Sequence, residues 1–379
     1  MATNLAKIHF LATKGEPPSA EKPYPGSNAI IIQDYDQKND KYVYGMIDMA
    51  YGHSKAITES DKNNPDTFDT RLLLNYLKAH KITTLEFVII THYHIDHYGN
   101  LEYLLNNYAT EKIKIKNLIL PMDTPKIEKL KNKLSPDEYE RIKGTAQRLK
   151  DAFNKKYIKS YPSAKLYFFG KNSDAEIEKV CKMGTGLFKF YNTNGEVSDY
   201  PVIDAGETSN NRLSDKFSIV TVYTVQGRKV LFTGDIYKFS ELVLKDTLAD
   251  DYDLIEMSHH GSSSANCQEF LDMIVPIDKE FAAIQLRSST YNSLRALTRY
   301  LNYENARVYG VYQDFEGEWG NADEENRGSI VAEFKDGVVK YYSRRVYGSS
   351  SYEQKLIKFG PENNVQLPPS AASIMEEEE

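Results

Sequence analysis

The chain has 379 residues, 41% hydrophobic and 27% charged, which is the composition of a globular protein with a sizeable core. Its net charge of -7 disfavours a general nucleic-acid coat or a membrane-surface binder, which are more often basic. The two cysteines, Cys181 and Cys267, form no paired motif, and no run of about 18 apolar residues occurs, so we expect no disulfide framework, thiolate zinc site or membrane span.

The first half of the chain reads as strands and helices in alternation. Apolar or alternating stretches separated by turn residues predict strands over 7–12, 28–34, 42–50 and 85–91. Apolar residues at helical spacing predict helices over 69–82 and 99–108. The second half continues the pattern, with strands at 217–225, 229–235, 280–286 and 306–312, a strand followed by a loop over 253–264, and a hairpin over 328–343. Helices are predicted at 241–249 and 294–303. Such alternation predicts stacked layers with ligands bound at strand ends.

The region from about 121 to 200 predicts a helical insertion in one domain that spans residues 1–350. Its first part, 122–160, contains eleven Lys and Arg residues against six Asp and Glu residues. We interpret this part as a solvated helical face, with a lid or basic wall for an anionic substrate as the alternative. The tail 351–379 contains Pro and Ser and ends in four glutamates, so we expect it to be disordered.

The stretch "THYHIDHYGN" (91–100) places His92, His94, Asp96 and His97 directly after a predicted buried strand. In an extended or turning loop, the first two histidines can face one point while the later pair reaches another. Neutral imidazole and carboxylate are good ligands for zinc and related ions. The pattern therefore predicts two neighbouring metal sites.

Two later motifs also fall at the ends of predicted strands. "FTGD" ends in Asp235, and "EMSHHGS" contains His259 and His260. A lone strand-end aspartate is usually a cap or turn residue, and lone histidines are usually structural. Their shared placement beside the edge where a sheet presents its ligands favours a common site with the first motif.

With these motifs in this order, the chain resembles the metallo-β-lactamase superfamily from about residue 7 to residue 345. The matching elements are "MIDMA" with Asp48, "THYHIDH", "FTGD" and "SHHGS". The most similar branch is the hydrolase domain of ComEC-type DNA-uptake proteins and its stand-alone relatives. In that branch "HHGS" follows the GD strand, and "NNRLSDKFSIV" (210–220) fits its Asn-to-Ser strand.

The resemblance implies an α/β fold, a four-layer αβ/βα sandwich of the metallo-β-lactamase type, here with a helical insertion. It also implies two divalent metal ions, with zinc expected and manganese or iron as alternatives. His92 and His94 would bind the first ion, and Asp96 and His97 the second. Asp235 would bridge the two ions.

Further roles follow from the same resemblance. We favour His260 over His259 as the last ligand of the second ion, because the second residue of the pair aligns with that ligand in other branches. His259 would then face the substrate or support a ligand. Asp96, as a ligand, could also orient the attacking water. Asp48 would orient a ligand imidazole.

The sequence departs from the superfamily pattern in two places. No histidine lies between His97 and His259, so the first ion lacks its usual third imidazole. We expect this site to be weak, or to be completed by water or by Asn211. The later His-Pro of the branch is also missing from "LRSSTYNSLRAL". Either this stretch is a polar turn, or hydrogen bonds replace the histidine, from Ser288, Ser289, Thr290 and Asn292.

A metal ion lowers the pKa of a bound water toward about 7, and two ions about 3.5–4 Å apart can hold a phosphoryl group. We therefore expect a metal-dependent hydrolase with an anionic, phosphate-containing substrate, most readily a phosphodiester. The alternatives are hydrolysis of carbon esters, lactones or β-lactams, and a metal-binding scaffold without turnover. Diiron oxygen chemistry is disfavoured because no flavin-binding domain is visible.

Partners and location follow from the same features. Nucleic acid could bind at the metal site, although the net charge does not indicate it. The first residues lack the apolar core and cleavage site of a signal peptide. We therefore expect a cytoplasmic location, with a secreted protein that has lost its leader as the alternative.

Overall fold

The computed structural model describes residues 5–11, 28–51, 72–193, 215–244, 247–248, 251–286, 296, 298–310 and 329–344. The predicted disordered tail, 351–379, lies outside these residues, as do Asn211 and the polar stretch that contains Ser288. The outer bounds of the single predicted domain therefore stay a prediction.

The larger of two sheets has eight strands in the order β14-β13-β1-β2-β3-β4-β5-β6. Its strands are β1 (Ala6–Phe10), β2 (Ala29–Asp36), β3 (Lys41–Met49), β4 (Thr84–Ile89), β5 (Lys114–Leu120), β6 (Lys165–Phe168), β13 (Ser329–Lys335) and β14 (Val338–Arg344). Strands β3 to β6 run parallel, whereas the pairs from β14 to β3 are antiparallel.

The smaller sheet has six strands in the order β12-β11-β10-β9-β8-β7. They are β7 (Leu187–Tyr191), β8 (Val220–Val225), β9 (Arg228–Phe232), β10 (Leu254–Glu256), β11 (Phe281–Gln285) and β12 (Ala306–Gly310). Strands β9 to β12 are parallel. Parallel strands covered on both faces read as continuous apolar runs, which explains why most of these strands were visible in the sequence.

Most of the described helices pack against the outer faces of the sheets. The described helices are α1 (Leu72–Ala79), α2 (Ile95–Asn106), α3 (Tyr108–Glu111), α4 (Thr124–Lys129), α5 (Pro136–Ala152), α6 (Ile158–Ser160), α7 (Asp174–Cys181), α8 (Lys238–Leu244) and α9 (Gln268–Ile274). Helix α7 instead contributes Ile177 and Cys181 to the apolar cluster between the sheets. A π-helical turn, Phe153–Tyr157, joins α5 to α6. None of the described helices has the length and apolar character that a membrane span requires.

Three apolar clusters divide the described residues into four layers. The first lies between the larger sheet and its helices, where Leu101 and Ile142 pack with Val88. The second fills the space between the sheets, and the third joins the smaller sheet to α9. The predicted αβ/βα sandwich is therefore confirmed. Burial of this much apolar surface is the main contribution to its stability.

The lysine-rich stretch forms helices α4 to α6 between β5 and β6. Helix α5 begins as its sequence predicts: Ser135 caps it by accepting a hydrogen bond from the Glu138 amide at 3.3 Å, and Pro136 occupies the first turn. Later in the predicted insertion, β6 and β7 belong to the two sheets, and α7 lies between them in the chain. Helix α5 packs on α2, where Arg148 Nε lies 3.2 Å from Glu102 Oε1.

Candidate metal centre

The HxHxDH motif spans the change from strand to helix after β4. His94 has extended backbone angles, φ -90° and ψ 146°, and α2 begins at the next residue. His92 and His94 are therefore two residues apart on non-helical chain, whereas Asp96 and His97 lie in the first helical turn. This break in backbone geometry directs the two halves of the motif toward different points.

The first ligand group consists of His92, His94, Asp215 and Asp235. Nδ1 of His94 lies 2.7 Å from Oδ1 of Asp215, and Nε2 of His92 lies 3.5 Å from the same oxygen. Nε2 of His92 lies 3.9 Å from Oδ2 of Asp235. One ligand atom from each residue lies within 4.8 Å of the others, an arrangement that could hold one metal ion.

The second ligand group consists of Asp96, His97, Asp235 and His260. Oδ2 of Asp235 lies 3.2 Å from Nε2 of His97 and 3.4 Å from Nε2 of His260. Oδ2 of Asp96 lies 3.3 Å from the same nitrogen of His260. Because Asp235 belongs to both groups, two ions held here would be neighbours.

Several buried polar atoms support a fit to metal ions. Nε2 of His92, Nε2 of His97 and Oδ1 of Asp235 make no hydrogen bond to any described residue. A buried polar atom without a partner costs free energy, and nearly all such atoms in folded proteins are satisfied. Divalent ions that accept these lone pairs would satisfy them, so the residues present fit the metal ions that the fold implies.

Asp48 and Thr91 fix the imidazole of His97 on its Nδ1 side. Oδ2 of Asp48 lies 2.6 Å from Nδ1 of His97 and accepts a hydrogen bond from the Thr91 hydroxyl at 2.8 Å. The Thr91 amide donates to the other carboxylate oxygen, also at 2.8 Å. The predicted contact between Asp48 and a motif imidazole is therefore present. It holds the ring so that Nε2 faces the second ligand group.

Ser218 and Gly234 set the position of Asp235. The Asp235 amide donates to Oγ of Ser218 at 3.0 Å. Gly234 has φ +54°, and a Cβ at this position would lie 2.4 Å from that hydroxyl. Glycine is therefore required by backbone conformation and by space, which explains the "GD" pair of the motif.

The loop after β10 presents both of its histidines from left-handed backbone. His259 has φ 50° and His260 has φ 55°, and a non-glycine residue in this region costs about 1–3 kcal/mol. Asn266 holds the loop, since its Nδ2 donates to the carbonyls of Ser258 at 2.9 Å and Ser262 at 3.1 Å. Its Oδ1 accepts from the Ser258 amide at 3.0 Å. The surrounding contacts therefore maintain a backbone conformation that the local sequence disfavours.

The buried carboxylates of the centre raise the pKa of the neighbouring imidazoles, although burial alone would lower it. Burial opposes the positive charge of His97, but the carboxylates of Asp235, Asp48 and Asp96 outweigh burial and hold the His97 pKa well above its usual value. Burial also opposes the charge of His260, and Asp235 and Asp96 raise its pKa to about 9. The carboxylates thus attract cations, either protons on these imidazoles or metal ions.

The comparisons with known proteins agree with this geometry. Residues 47–197, which include Asp48 and the HxHxDH motif, match the family model described as metallo-beta-lactamase superfamily. The match covers part of the fold, from β3 to β7. No curated protein matches the chain. The superfamily match and the two ligand groups together support a metal-dependent hydrolase.

Solved structures that are similar to this chain share little sequence with it. An inferred metal-dependent hydrolase from Parabacteroides distasonis ATCC 8503 is 10% identical with a TM-score of 0.34, covering 75% of this chain and 97% of that one. Unliganded yeast PDE1 is 13% identical with a TM-score of 0.44, covering 82% and 98%. A diphosphatase of the PhnP family is 13% identical with a TM-score of 0.32, covering 80% and 85%.

The structure brings together all six residues that were predicted as ligands, namely His92, His94, Asp96, His97, Asp235 and His260. Their roles as ligands stay predictions. His259 lies beside them, with Nε2 3.7 Å from Oδ2 of Asp235 and its ring 4.6 Å from that of Tyr237. Asn211, which was predicted as a residue that could complete the site of the first ion, lies outside the described residues.

Asp215 is the site residue that sequence reasoning missed. It lies in a 3₁₀ turn, Asp215–Phe217, directly before β8, and is buried beside His92 and His94. The signal was present in "NNRLSDKFSIV", where a carboxylate precedes a buried strand at the point where the superfamily's third histidine is missing. A buried carboxylate needs a compensating cation or hydrogen bonds, so this position was a candidate for the vacant ligand role.

Proposed function

We propose that the protein is a dinuclear metal-dependent hydrolase that cleaves phosphodiesters with a metal-activated water. The observation that carries the proposal is the pair of four-residue ligand groups that share Asp235. His92, His94, Asp215 and Asp235 would hold one ion. Asp235 would hold the second ion together with Asp96, His97 and His260.

Bound divalent ions would lower the pKa of a water molecule and neutralise the charge that develops on a phosphoryl group. The protein residues would orient these components. Asp48 fixes the His97 ring, and Ser218 fixes the Asp235 backbone. Asp96 and His259 are partly exposed at the centre, so both could contact the attacking water or the substrate. No protein nucleophile is needed in this scheme.

Two adjacent ions suit a phosphodiester because together they can stabilise the attacking and leaving oxygens of an in-line displacement. We propose zinc as the ion, with manganese or iron as alternatives. We also propose an anionic, phosphate-containing substrate, a cytoplasmic location and a relationship to the ComEC-type branch. The last rests on the order of the GD and HHGS motifs and on the fit of residues 210–220 to the Asn-to-Ser strand of that branch. Carbon esters, lactones and β-lactams are the competing substrates of the same centre.

The decisive experiment is a panel of chromogenic phosphodiester, phosphomonoester and lactone substrates, tested with chelated protein and after loading with Zn²⁺ or Mn²⁺. We expect metal-dependent hydrolysis of bis(p-nitrophenyl) phosphate. Hydrolysis of lactones or carbon esters without any phosphodiester cleavage would favour the alternative hypothesis, in which those compounds are the substrates. Elemental analysis that finds no bound metal under any loading condition would overturn the proposal and its site.

A further inference from the structure

The side chains of the metal centre differ in their exposure to solvent. The side chains of His92, His97 and His260 are buried. Those of Asp96, His94 and His259 are 24%, 19% and 17% exposed. Solvent reaches the ligand groups at these last three residues, which we call the mouth of the centre.

Arg141 of helix α5 lies at this mouth. Its Nη2 is 2.8 Å from Nε2 of His94, and its side chain is 41% exposed. A guanidinium can only donate, so Nε2 of His94 accepts, while Nδ1 on the other side of the ring faces Asp215 at 2.7 Å. The imidazole thus lies between the guanidinium and Asp215, and the guanidinium side chain is the more exposed of the two.

The position of Arg141 is supported by its own helix and by the helix of the motif. Oε1 of Glu138, one turn earlier and buried, lies 3.4 Å from Nη2. Two turns later, Arg148 contacts Glu102 of α2, the helix that begins inside the HxHxDH motif. A charge supported in this way keeps its place relative to the ligands, which is what recognition of a small anion requires.

An anion that enters the mouth meets the exposed carboxylate of Asp96, so it needs cationic partners besides the ions. Guanidinium groups bind phosphate oxygens with directed, charge-assisted hydrogen bonds. We infer that Arg141 binds a non-bridging oxygen of the anionic substrate and so sets the preference of the enzyme for anionic substrates. This inference rests on the proposed function. It places the substrate contact in the stretch 122–160, which has more basic than acidic residues.

The test compares three variants of the metal-loaded protein. Arg141→Gln removes the charge, and Arg141→Lys keeps the charge without the planar fork. Lys155→Gln is the matched control, since Lys155 pairs with Asp151 in the same insertion about 20 Å further along the helix. Inorganic phosphate is the probe, and its affinity is measured by isothermal titration calorimetry.

We expect Arg141→Gln to weaken phosphate binding by about tenfold to a hundredfold, which is the effect of one charge-assisted hydrogen bond. Arg141→Lys should recover part of the affinity, and Lys155→Gln should match the wild type. With bis(p-nitrophenyl) phosphate, Arg141→Gln should raise KM more than it lowers kcat. Metal content should be the same in all four proteins.

The inference would be overturned if the wild type binds no phosphate, or if Arg141→Gln binds it equally well. Loss of metal in Arg141→Gln would also overturn it, because the arginine would then serve to orient His94. The proposed function fails separately: a wild type that binds phosphate through Arg141 but cleaves no phosphodiester would leave the inference supported and reject the phosphodiesterase.

Discussion

Asp96 is the partly exposed carboxylate of the second ligand group, which makes it the most informative single residue. Asp96→Asn preserves the volume of the side chain and the backbone carbonyl that accepts from Asn28 at 3.1 Å. It removes the negative charge, so we expect kcat/KM for the cleaved substrate to fall by about a thousandfold or more. Circular dichroism should stay unchanged. Near-normal turnover in a correctly folded Asp96→Asn protein would show that the proposed site is wrong.

Asp215 changes the expectation for the first ion. The sequence suggested a weak first site because two histidines and the shared aspartate were its only predicted ligands. With Asp215, each group offers four ligand residues, so the basis for that asymmetry is gone.

We expect Asp215→Asn to lower the affinity for one of two ions by at least about a hundredfold, since losing even an outer-sphere partner costs about 10–100-fold. The second ion should remain, so elemental analysis after dialysis against limiting Zn²⁺ should give close to one ion per chain. Asp174→Asn, a change of the same type at the start of α7, should keep the wild-type metal content. Two ions retained in Asp215→Asn would remove this residue from the ligand set.

At the scale of elements, the loop between β10 and α9 shows how tertiary contacts determine local backbone. Asn266 itself has φ 58°, and its side chain holds the two left-handed histidines in place. The Glu241 carboxylate accepts hydrogen bonds from the amides of Asn266 at 2.6 Å and Cys267 at 2.9 Å. The loop is therefore held from both ends, and its conformation depends on residues that contact no ligand atom.

Asn266→Ala should destabilise the protein by about 3 kcal/mol or more, because it leaves buried loop groups without partners and places alanine at positive φ. Metal affinity should fall as well, because His260 loses its support. Asn266→Gly removes the same hydrogen bonds with less backbone strain, so it should be more stable than Asn266→Ala but bind metal no more tightly.

Asn305→Ala is the control for this prediction, since Asn305 donates to two backbone carbonyls of another loop. That variant should lose stability alone, and equal metal loss in both alanine variants would contradict this assignment.

Sequence patterns predicted the helices and strands whose ends are marked by residues next to them in the chain. Strands β2 to β4 were predicted to within two residues, because they are apolar runs between turn residues. The start of α2 was predicted at residue 99, but the helix begins at Ile95. His94 precedes it without a side-chain cap, so no local signal marked the start.

The missing parts of the site have similar causes. Strand β8 was predicted from Phe217, so the 3₁₀ turn that presents Asp215 was read as the approach to a strand. The left-handed pair His259 and His260 could not be predicted, because non-glycine residues rarely adopt this conformation. The contact between Arg141 and His94 depends on how α5 packs on α2, and a single sequence does not determine that packing.

At the scale of the whole molecule, Glu256 links the two halves of the sandwich. Its carboxylate accepts a hydrogen bond at 2.7 Å from the side chain of Asn28, which directly precedes β2 of the larger sheet. It also accepts one at 3.0 Å from the amide of Thr233, which follows β9 of the smaller sheet. Burial, with the nearby charges of Asp48 and Asp235, raises its pKa from 4.5 to about 7. An acid whose pKa is raised by folding favours the folded state in its protonated form. Its contribution to stability is therefore greatest below about pH 4.5 and is lost as the pH rises through about 7.

Glu256→Gln should remove this dependence. Relative to the wild type, the variant should gain on the order of 3 kcal/mol of unfolding free energy between pH 4.5 and pH 8, since each pKa unit corresponds to about 1.4 kcal/mol. The amide can be accommodated, because Oδ1 of Asn28 makes no hydrogen bond to any described residue and a flipped Asn28 could accept from it. Urea denaturation of chelated proteins at both pH values measures the difference, with Glu304→Gln on the surface as the control. A difference that does not change with pH would contradict the link between Glu256 ionisation and stability.

The presence of Asp215 in place of an imidazole makes the combined centre richer in hard oxygen donors. Four imidazoles and three carboxylates then surround the proposed ion pair, whereas a third histidine would have left only two carboxylates. Manganese and similar hard ions prefer carboxylate ligands to imidazole ligands. Zinc binds more tightly than these ions mainly where the ligands are nitrogen or sulfur atoms. Selectivity against manganese or ferrous iron should therefore be modest. The ion found in purified protein should follow the metal supply of the growth medium more than any strong choice by the protein.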